Sequence, residues 1–323
     1  MATNIRYGIM GSSQTATRFA SAIKAVAGSE VLAVAGRELS AAKKQADKLG
    51  IKQAYGSYEE LCNDDNIDVI YIPSYNRAHY ACAKFALNNN KHVLMEKPFT
   101  HHKVGAEELF QLAANKGLFL MEAQRAIFLP LLLRVKKLLA EKAIGEVKFI
   151  DIKNYHKVGI PNEWITDLAA GGGALNYGGS YPLEVVSYLL ENSISEFAGL
   201  GANKIGEADS SCTLTFKSNN VLVNAFITTS FKGESEMIIT GTEGKIIIPN
   251  YWEATTAVIE NQKGTQQLVD QSNKSSLAYT IEHVATCLKE KKTTSPIVTP
   301  KLTISSLAII ETLYQKWYGD PLN

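Results

Sequence analysis

The sequence predicts two folds in series: an α/β domain on a doubly wound parallel sheet, then an α+β domain with a large, mainly antiparallel sheet. Three observations predict this. Through the first 122 residues, short apolar runs alternate with helical stretches, and runs apolar throughout are how parallel strands buried on both faces read. Past residue 190, strand-like runs crowd together and several alternate apolar with polar, as half-exposed strands do. The length of 323 residues suits two domains at about 150 residues each.

Ile5 to Met10 is the first strand and ends at Gly11. Thr17 to Ala27 follows with apolar residues at helical spacing, and Glu30 to Ala35 is the second apolar run. Ser40 can cap a helix through Leu49, with Gly50 where a helix C-terminus favours a left-handed residue. Gln53 to Tyr55 is a third strand, and Asp68 to Ile72 a fourth, stopped by Pro73. Ala78 to Asn88 reads as helix and His92 to Met95 as a fifth strand, closed by Glu96-Lys97-Pro98. Thr100 caps a helix ending at Gly117, and Leu118 to Met121 is a sixth strand. Strand–helix repetition with short links gives a sheet covered on both faces.

The second part reads differently. Pro130 to Lys142 is a helix, Val147 to Ile152 a partly alternating strand, and Gly171-Gly172-Gly173 precedes a helical stretch to Leu190. Strands are expected at 212–216, 221–229, 237–240, 245–248 and 255–259, with a hairpin-type turn at Thr242-Glu243-Gly244. Helices at 276–291 and 302–318 close the chain, the last free to pack back on the first domain. The expected domains are residues 1–122 for dinucleotide binding and 123–323 for substrate and assembly.

With 33 Lys+Arg against 32 Asp+Glu, the chain offers no electrostatic case for nucleic acid or an anionic membrane. No apolar run approaches the roughly 20 residues of a spanning helix, and no signal core precedes the first strand, so a cytoplasmic protein is expected. Cys62, Cys82, Cys212 and Cys287 have no Cys-x-x-Cys spacing and read as buried free thiols. His101-His102 reads as solvated and His283 as structural; no metal site is expected. No Gly-x-Ser-x-Gly elbow supports hydrolase chemistry.

Two features point to a dinucleotide. Gly11-Ser12-Ser13-Gln14-Thr15-Ala16 lies between a strand and a helix, where Gly-x-Gly-x-x-Gly/Ala cradles a pyrophosphate on free helix amides. Ser13 replaces the second glycine and brings a hydroxyl that can bond a phosphate. At the end of the second strand, where NAD-binding chains place an acid, stand Gly36 and Arg37. A guanidinium can pair a 2′-phosphate, which favours NADP with NAD as the alternative; a solvated loop arginine is the bland reading. Lys97 follows the fifth strand, at the sheet end where open α/β sheets bind ligands.

The chain resembles the glucose–fructose oxidoreductase / inositol dehydrogenase (Gfo/Idh/MocA) family. The motifs that carry the resemblance are Gly11 to Ala16; Pro73-Ser74-Tyr75-Asn76 with His79; Glu96-Lys97-Pro98; Glu122-Ala123; and Gly171 to Leu175 followed by Gly179-Ser180-Tyr181-Pro182. They span both halves, and the Gly-x-Tyr-Pro ending looks most like the dimeric dihydrodiol dehydrogenase branch. The resemblance implies a Rossmann domain, then a sheet domain whose open face packs on a partner in a homodimer or homotetramer. It implies a nicotinamide cofactor held by Gly11, Ser12, Ser13, Gln14, Thr15, Gly36, Arg37, Pro73, Ser74, Asn76, His79, Glu96, Lys97, Glu122 and Arg125. Helix capping is the alternative for His79. It implies a sugar, polyol or cyclic diol substrate held by Lys97, Tyr177, Tyr181, His156 and Trp164.

Lys97 and Tyr181 are then the catalytic pair. A phenol titrates near 10 and is a poor base at pH 7, and a nearby ammonium lowers it. Tyr181 becomes the general acid/base and Lys97 its tuner. Two departures stand out: Tyr177 where members commonly carry Asp, and Ile165 where Arg is frequent. Arg125 and His156 are candidates to replace those contacts. Two rivals to a CH–OH oxidoreductase stay open: a ligand-sensing protein of the same fold, which the departures favour, and an NAD-dependent glycosidase, which the resemblance also allows.

Overall fold

Apolar runs too short to be helices and buried on both faces form the first sheet. Its strands are β1 (Ile5–Met10), β2 (Ser29–Ala35), β3 (Gln53–Tyr55), β4 (Val69–Ile72), β5 (His92–Met95) and β6 (Leu120–Glu122). The order β3-β2-β1-β4-β5-β6 is parallel throughout. Chain order reverses between β1 and β4, and ligands of such sheets bind at the carboxyl ends beside that reversal. This structure is a computed structural model that describes residues 4–11, 13–156, 163–204, 206–272 and 274–319.

Phe19, from helix Gln14–Ala22, stacks on Tyr71 of β4 at 3.8 Å and meets Tyr7 of β1 edge-on at 5.3 Å. These buried rings lock the glycine turn against both strands of the reversal. That helix starts three residues earlier than expected, because Ser13 caps it, and gives way to a 3₁₀ turn at Ile23–Ala25.

The second sheet has eight strands: β7 (Val147–Tyr155), β8 (Ile194–Ala202), β9 (Ser211–Ser218), β10 (Val221–Thr228), β11 (Glu236–Gly241), β12 (Gly244–Pro249), β13 (Thr256–Asn261) and β14 (Gly264–Val269). Its order is β14-β13-β12-β11-β7-β10-β9-β8. All neighbours run antiparallel except β7 and β10. The mainly antiparallel architecture is as the sequence predicts. The two edge strands, β8 and β14, are additions to that expectation. Both are largely exposed on either side, so neither carries the alternation that betrays a half-buried strand.

Compactness divides the chain into two units: Met1–Arg125 with Lys274–Pro300, and Ala126–Asn273 with Lys301–Asn323. The division therefore does not fall at one point in the chain. Helix Ser276–Lys289 packs on helix Gln14–Ala22, and the Leu120 amide of β6 donates to the Thr293 carbonyl at 3.0 Å. Among the described residues, no helix is long and apolar enough to cross a membrane. All four cysteines are free and buried.

Candidate active site

In the first unit, the predicted residues gather at the carboxyl ends of the parallel strands. Gly11 ends β1 with φ +121°, a conformation side chains disfavour, and its amide donates to the Ala35 carbonyl at 2.9 Å. Ser12 lies outside the described residues. Ser13 caps the following helix, its Oγ accepting from the Ala16 amide at 3.1 Å while the hydroxyl proton stays available to donate. The first i→i−4 bond is Thr17 N to Ser13 O at 3.3 Å, so the Gln14 and Thr15 amides precede the ladder, where an anion is favoured. Gly36 is buried at the end of β2, and Arg37 beside it is exposed.

Tyr58 was not among the sequence candidates. Its hydroxyl lies 3.9 Å from where a Cβ on Gly11 would stand. Burial raises its phenol, and the charge of Arg37 opposes that shift. Tyr58 thus sits beside the Gly11 turn, with Arg37 near enough for its charge to act on the phenol. The signal was present: Ser57 caps helix Tyr58–Asn63, accepting from the Glu60 amide at 3.1 Å, and Glu60 reaches back to the Gly56 amide at 2.9 Å.

At the ends of β4 and β5, Pro73 and Asn76 are buried, and the buried Ser74 hydroxyl lies near the Cys82 thiol. Glu96 is held by the Tyr71 hydroxyl, which donates to Oε1 at 2.6 Å. Lys97 follows, its ammonium pushed down to about 8, first by burial and then by the charge of Arg125; Glu96 and Glu122 oppose the shift. Glu122 is buried at the end of β6, and Arg125 opens the 3₁₀ turn Arg125–Phe128. His79 is fully buried, with Nδ1 2.8 Å from the Pro98 carbonyl and Nε2 2.9 Å from the Ser74 carbonyl. His101, expected to be solvated, is instead largely buried and its imidazole is pushed down to about 4. Burial is the first cause, and the charges of His79, His102 and Arg77 act in the same direction. His283 bonds Ser295 at 2.8 Å, a structural contact.

In the second unit, three of the four predicted substrate residues come together with one that was not foreseen. Tyr181 is 3% exposed on helix Ser180–Leu190. The His156 ring lies 6.3 Å from Tyr181, 5.4 Å from Tyr177 and 4.6 Å from Trp252, and Trp252 lies 6.1 Å from Tyr181. Gly178 makes room for that imidazole, since a Cβ there would stand 3.2–3.3 Å from its ring. Trp252 follows β12 in a turn, where no periodicity marks it. Trp164 makes no ring contact with this cluster among the described residues.

The triple glycine holds these aromatics. Gly173 has φ +110°, and a Cβ there would fall 2.1 Å from the Tyr314 hydroxyl and 2.3 Å from Asp209 Oδ1. The buried Asp209 carboxylate accepts from the Leu175 amide at 2.9 Å and from the Tyr314 hydroxyl at 2.7 Å. Burial pushes Asp209 up to about 6. One buried carboxylate thereby anchors the segment that presents Tyr177 and Tyr181. Among the described residues, no group of three or more His, Cys, Asp and Glu is arranged to hold a metal.

Residues 5–124 match the oxidoreductase family with an NAD-binding Rossmann fold, and residues 132–247 match the GFO/IDH/MocA C-terminal domain. The chain belongs to the Gfo/Idh/MocA oxidoreductase family. It is 32% identical over 283 residues to trans-1,2-dihydrobenzene-1,2-diol dehydrogenase of Xenopus laevis, covering 83% of this chain and 84% of that one. The Sus scrofa enzyme of the same name is 29% identical over 309 residues, 91% of each chain. The fold is also that of KijD10, a 3-ketoreductase of Actinomadura kijaniata solved with TDP-benzene and NADP: TM-score 0.85, 23% identity, 96% of this chain and 97% of that one. An aldose-aldose oxidoreductase of Caulobacter crescentus, solved with glycerol, superposes with a TM-score of 0.88 at 19% identity over 98% of this chain and 97% of that one. The protein is thus an NAD(P)-binding oxidoreductase with its family's two-domain architecture.

Proposed function

We propose that this protein is an NADP-preferring dehydrogenase or reductase of a sugar, polyol or cyclic diol, with Lys97 and Tyr181 as its acid/base pair. The observation that carries this is the Lys97 ammonium, set at the end of β5 and pushed down to about 8. Its neighbours Glu96, Glu122 and Arg125 make this strand end a charged cluster of the kind that functional sites use.

The residues of the first unit suit a nicotinamide dinucleotide. Gly11, Ser12, Ser13, Gln14 and Thr15 would hold the pyrophosphate on the open helix start. Gly36 gives the backbone room beside Arg37, which would pair the 2′-phosphate. Pro73, Ser74 and Asn76 would border the nicotinamide ribose, with Glu96, Glu122 and Arg125 around Lys97; the Ser74 hydroxyl is a buried group with spare bonding capacity. When bound, NADP supplies or accepts the hydride at the carbinol carbon.

The chain's own residues manage the proton. In reduction, the Tyr181 hydroxyl gives its proton to the developing alkoxide, and the charge of Lys97 stabilises the phenolate left behind. In oxidation the phenolate takes the proton back. The ring faces of His156, Tyr177 and Trp252 suit a substrate ring whose C–H surface lies flat on them, and Trp164 joins them in this proposal. Phe149 of β7 and Leu222 of β10 pair across strands and are 40% and 56% exposed, which supports a homodimer or homotetramer through that sheet face.

The test is Lys97→Met and Tyr181→Phe, assayed with NADPH against sugar ketones and with NADP against trans-dihydrodiols. Each variant is expected to lose on the order of 10²–10⁴-fold in kcat while still binding NADPH. Full activity in both would sink the assignment.

A further inference from the structure

We propose that His79 is a positioning residue: a buried brace that ties the loop after β4 to the turn after β5 and so holds Lys97 and the cofactor-facing loop in register. The inference rests on the role given to Lys97 above.

β4 and β5 run parallel, and their ladder ends with the Glu96 amide donating to the Ile72 carbonyl at 3.1 Å. Beyond that bond each segment meets a proline, Pro73 on one side and Pro98 on the other. Proline has no N–H, so the ladder loses a donor on both strands where the functional residues begin. The His79 side chain fills the gap. Its two ring nitrogens lie 2.8 Å from the Pro98 carbonyl and 2.9 Å from the Ser74 carbonyl. The ring is fully buried. A carbonyl oxygen only accepts, so the ring is the donor: through one N–H when neutral, through both when protonated. Burial lowers its affinity for the second proton and Lys97 opposes it too, while the two carbonyls and Glu96 favour it. His101, also close by, is neutral over the working range.

The two bonded residues flank the chemistry. Pro98 is the neighbour of Lys97, and Ser74 carries the buried hydroxyl assigned to the nicotinamide end. A histidine that only filled core volume would affect stability alone. A brace affects where the Lys97 ammonium lies and how it titrates.

The experiment compares His79→Phe, which keeps most of the volume and removes both ring nitrogens, with His79→Gln, which keeps an amide donor. Full-length protein is titrated with NADPH by fluorescence. In parallel, Lys97 is titrated by competitive acetylation and mass spectrometry, which needs no substrate. His79→Phe is expected to weaken NADPH binding about tenfold, as the loss of one or two hydrogen bonds does. It is also expected to move the Lys97 titration from near 8 toward the ordinary lysine value, with His79→Gln in between. A folded His79→Phe with unchanged NADPH affinity and an unchanged Lys97 titration overturns the brace. Should His79→Phe not fold, hydrogen exchange of the wild-type His79 ring decides: a slowly exchanging ring N–H is expected, and rapid exchange overturns the proposal. Should the wild type itself fail to bind NADPH, the cofactor reading falls, while the Lys97 titration and ring exchange still judge the brace.

Discussion

At the ends of the parallel strands the functional groups are polar, and short bonds to backbone or neighbours fix them. Ser13 caps a helix, Glu96 accepts from Tyr71, and His79 reaches two carbonyls. In the second unit the groups are rings, fixed by packing: His156, Tyr177, Tyr181 and Trp252 lie with centroids 4.6 to 6.3 Å apart. On the proposed function the two regions face different demands, a nicotinamide dinucleotide for the first and a substrate ring for the second. A dinucleotide always presents the same phosphates and amide, so directional donors can be fixed for it once. A carbon ring offers C–H surface, and flat apolar walls recognise shape with little commitment to a hydrogen-bond pattern.

Four measurements put this contrast to the test. The largest effect is expected where the aromatic side depends on backbone. Gly173→Ala would drive a methyl into Tyr314 and Asp209 at a positive φ, costing about 3 kcal/mol or more of stability. A melting curve checks it, and a wild-type Tm would mean the glycine segment is not under that constraint. Next, Trp252→Ala should raise the substrate KM by tenfold or more, at ~2 kcal/mol for a lost ring platform, and leave NADPH affinity unchanged. A shift in NADPH affinity instead would show that the aromatic cluster serves the cofactor. Third, Arg37→Ala should weaken NADPH about tenfold and leave NADH alone, as loss of one charge-assisted phosphate contact would. Equal losses for both nucleotides would remove Arg37 as the 2′-phosphate reader.

The smallest effect is a pH dependence of stability. Burial pushes Lys97 down to about 8 in the folded chain, against near 10.4 when unfolded. Below pH 8 both states hold the proton, and the cost of burying it is fully present. Between those values the unfolded chain holds more protons, so stability from this group rises with pH. Lys97→Met should flatten that rise in denaturant titrations across the window. An unchanged slope would place the ammonium in solvent.

The contrast also explains what the sequence disclosed. Gly11, Gly36, Lys97 and the strand ends could be read because a glycine turn or a strand terminus is a local event, written within a few residues. The parallel sheet was legible for the same reason. Tyr58 was missed although its capping pair Ser57 and Glu60 stood in plain view, because a helix start says nothing of what lies across from it. Trp252 was missed because nothing in its own turn ties it to His156, Tyr177 or Tyr181. The packing of the second unit's helices and turns around its sheet brings residues so far apart in sequence together. The edge strands β8 and β14 went unseen because exposure on both sides erases the pattern that marks a strand.

The return of helix Ser276–Lys289 to the first unit has a consequence for synthesis. Residues 1–125 leave the ribosome early, yet the helix that packs on Gln14–Ala22 and the Thr293 carbonyl that bonds β6 come almost last. Until then the nascent parallel sheet carries an open edge at β6 and a bare apolar helix face, both invitations to mispairing. The half that emerges first is completed only after all eight strands of the second sheet have been made, so its exposure lasts while that sheet is being assembled.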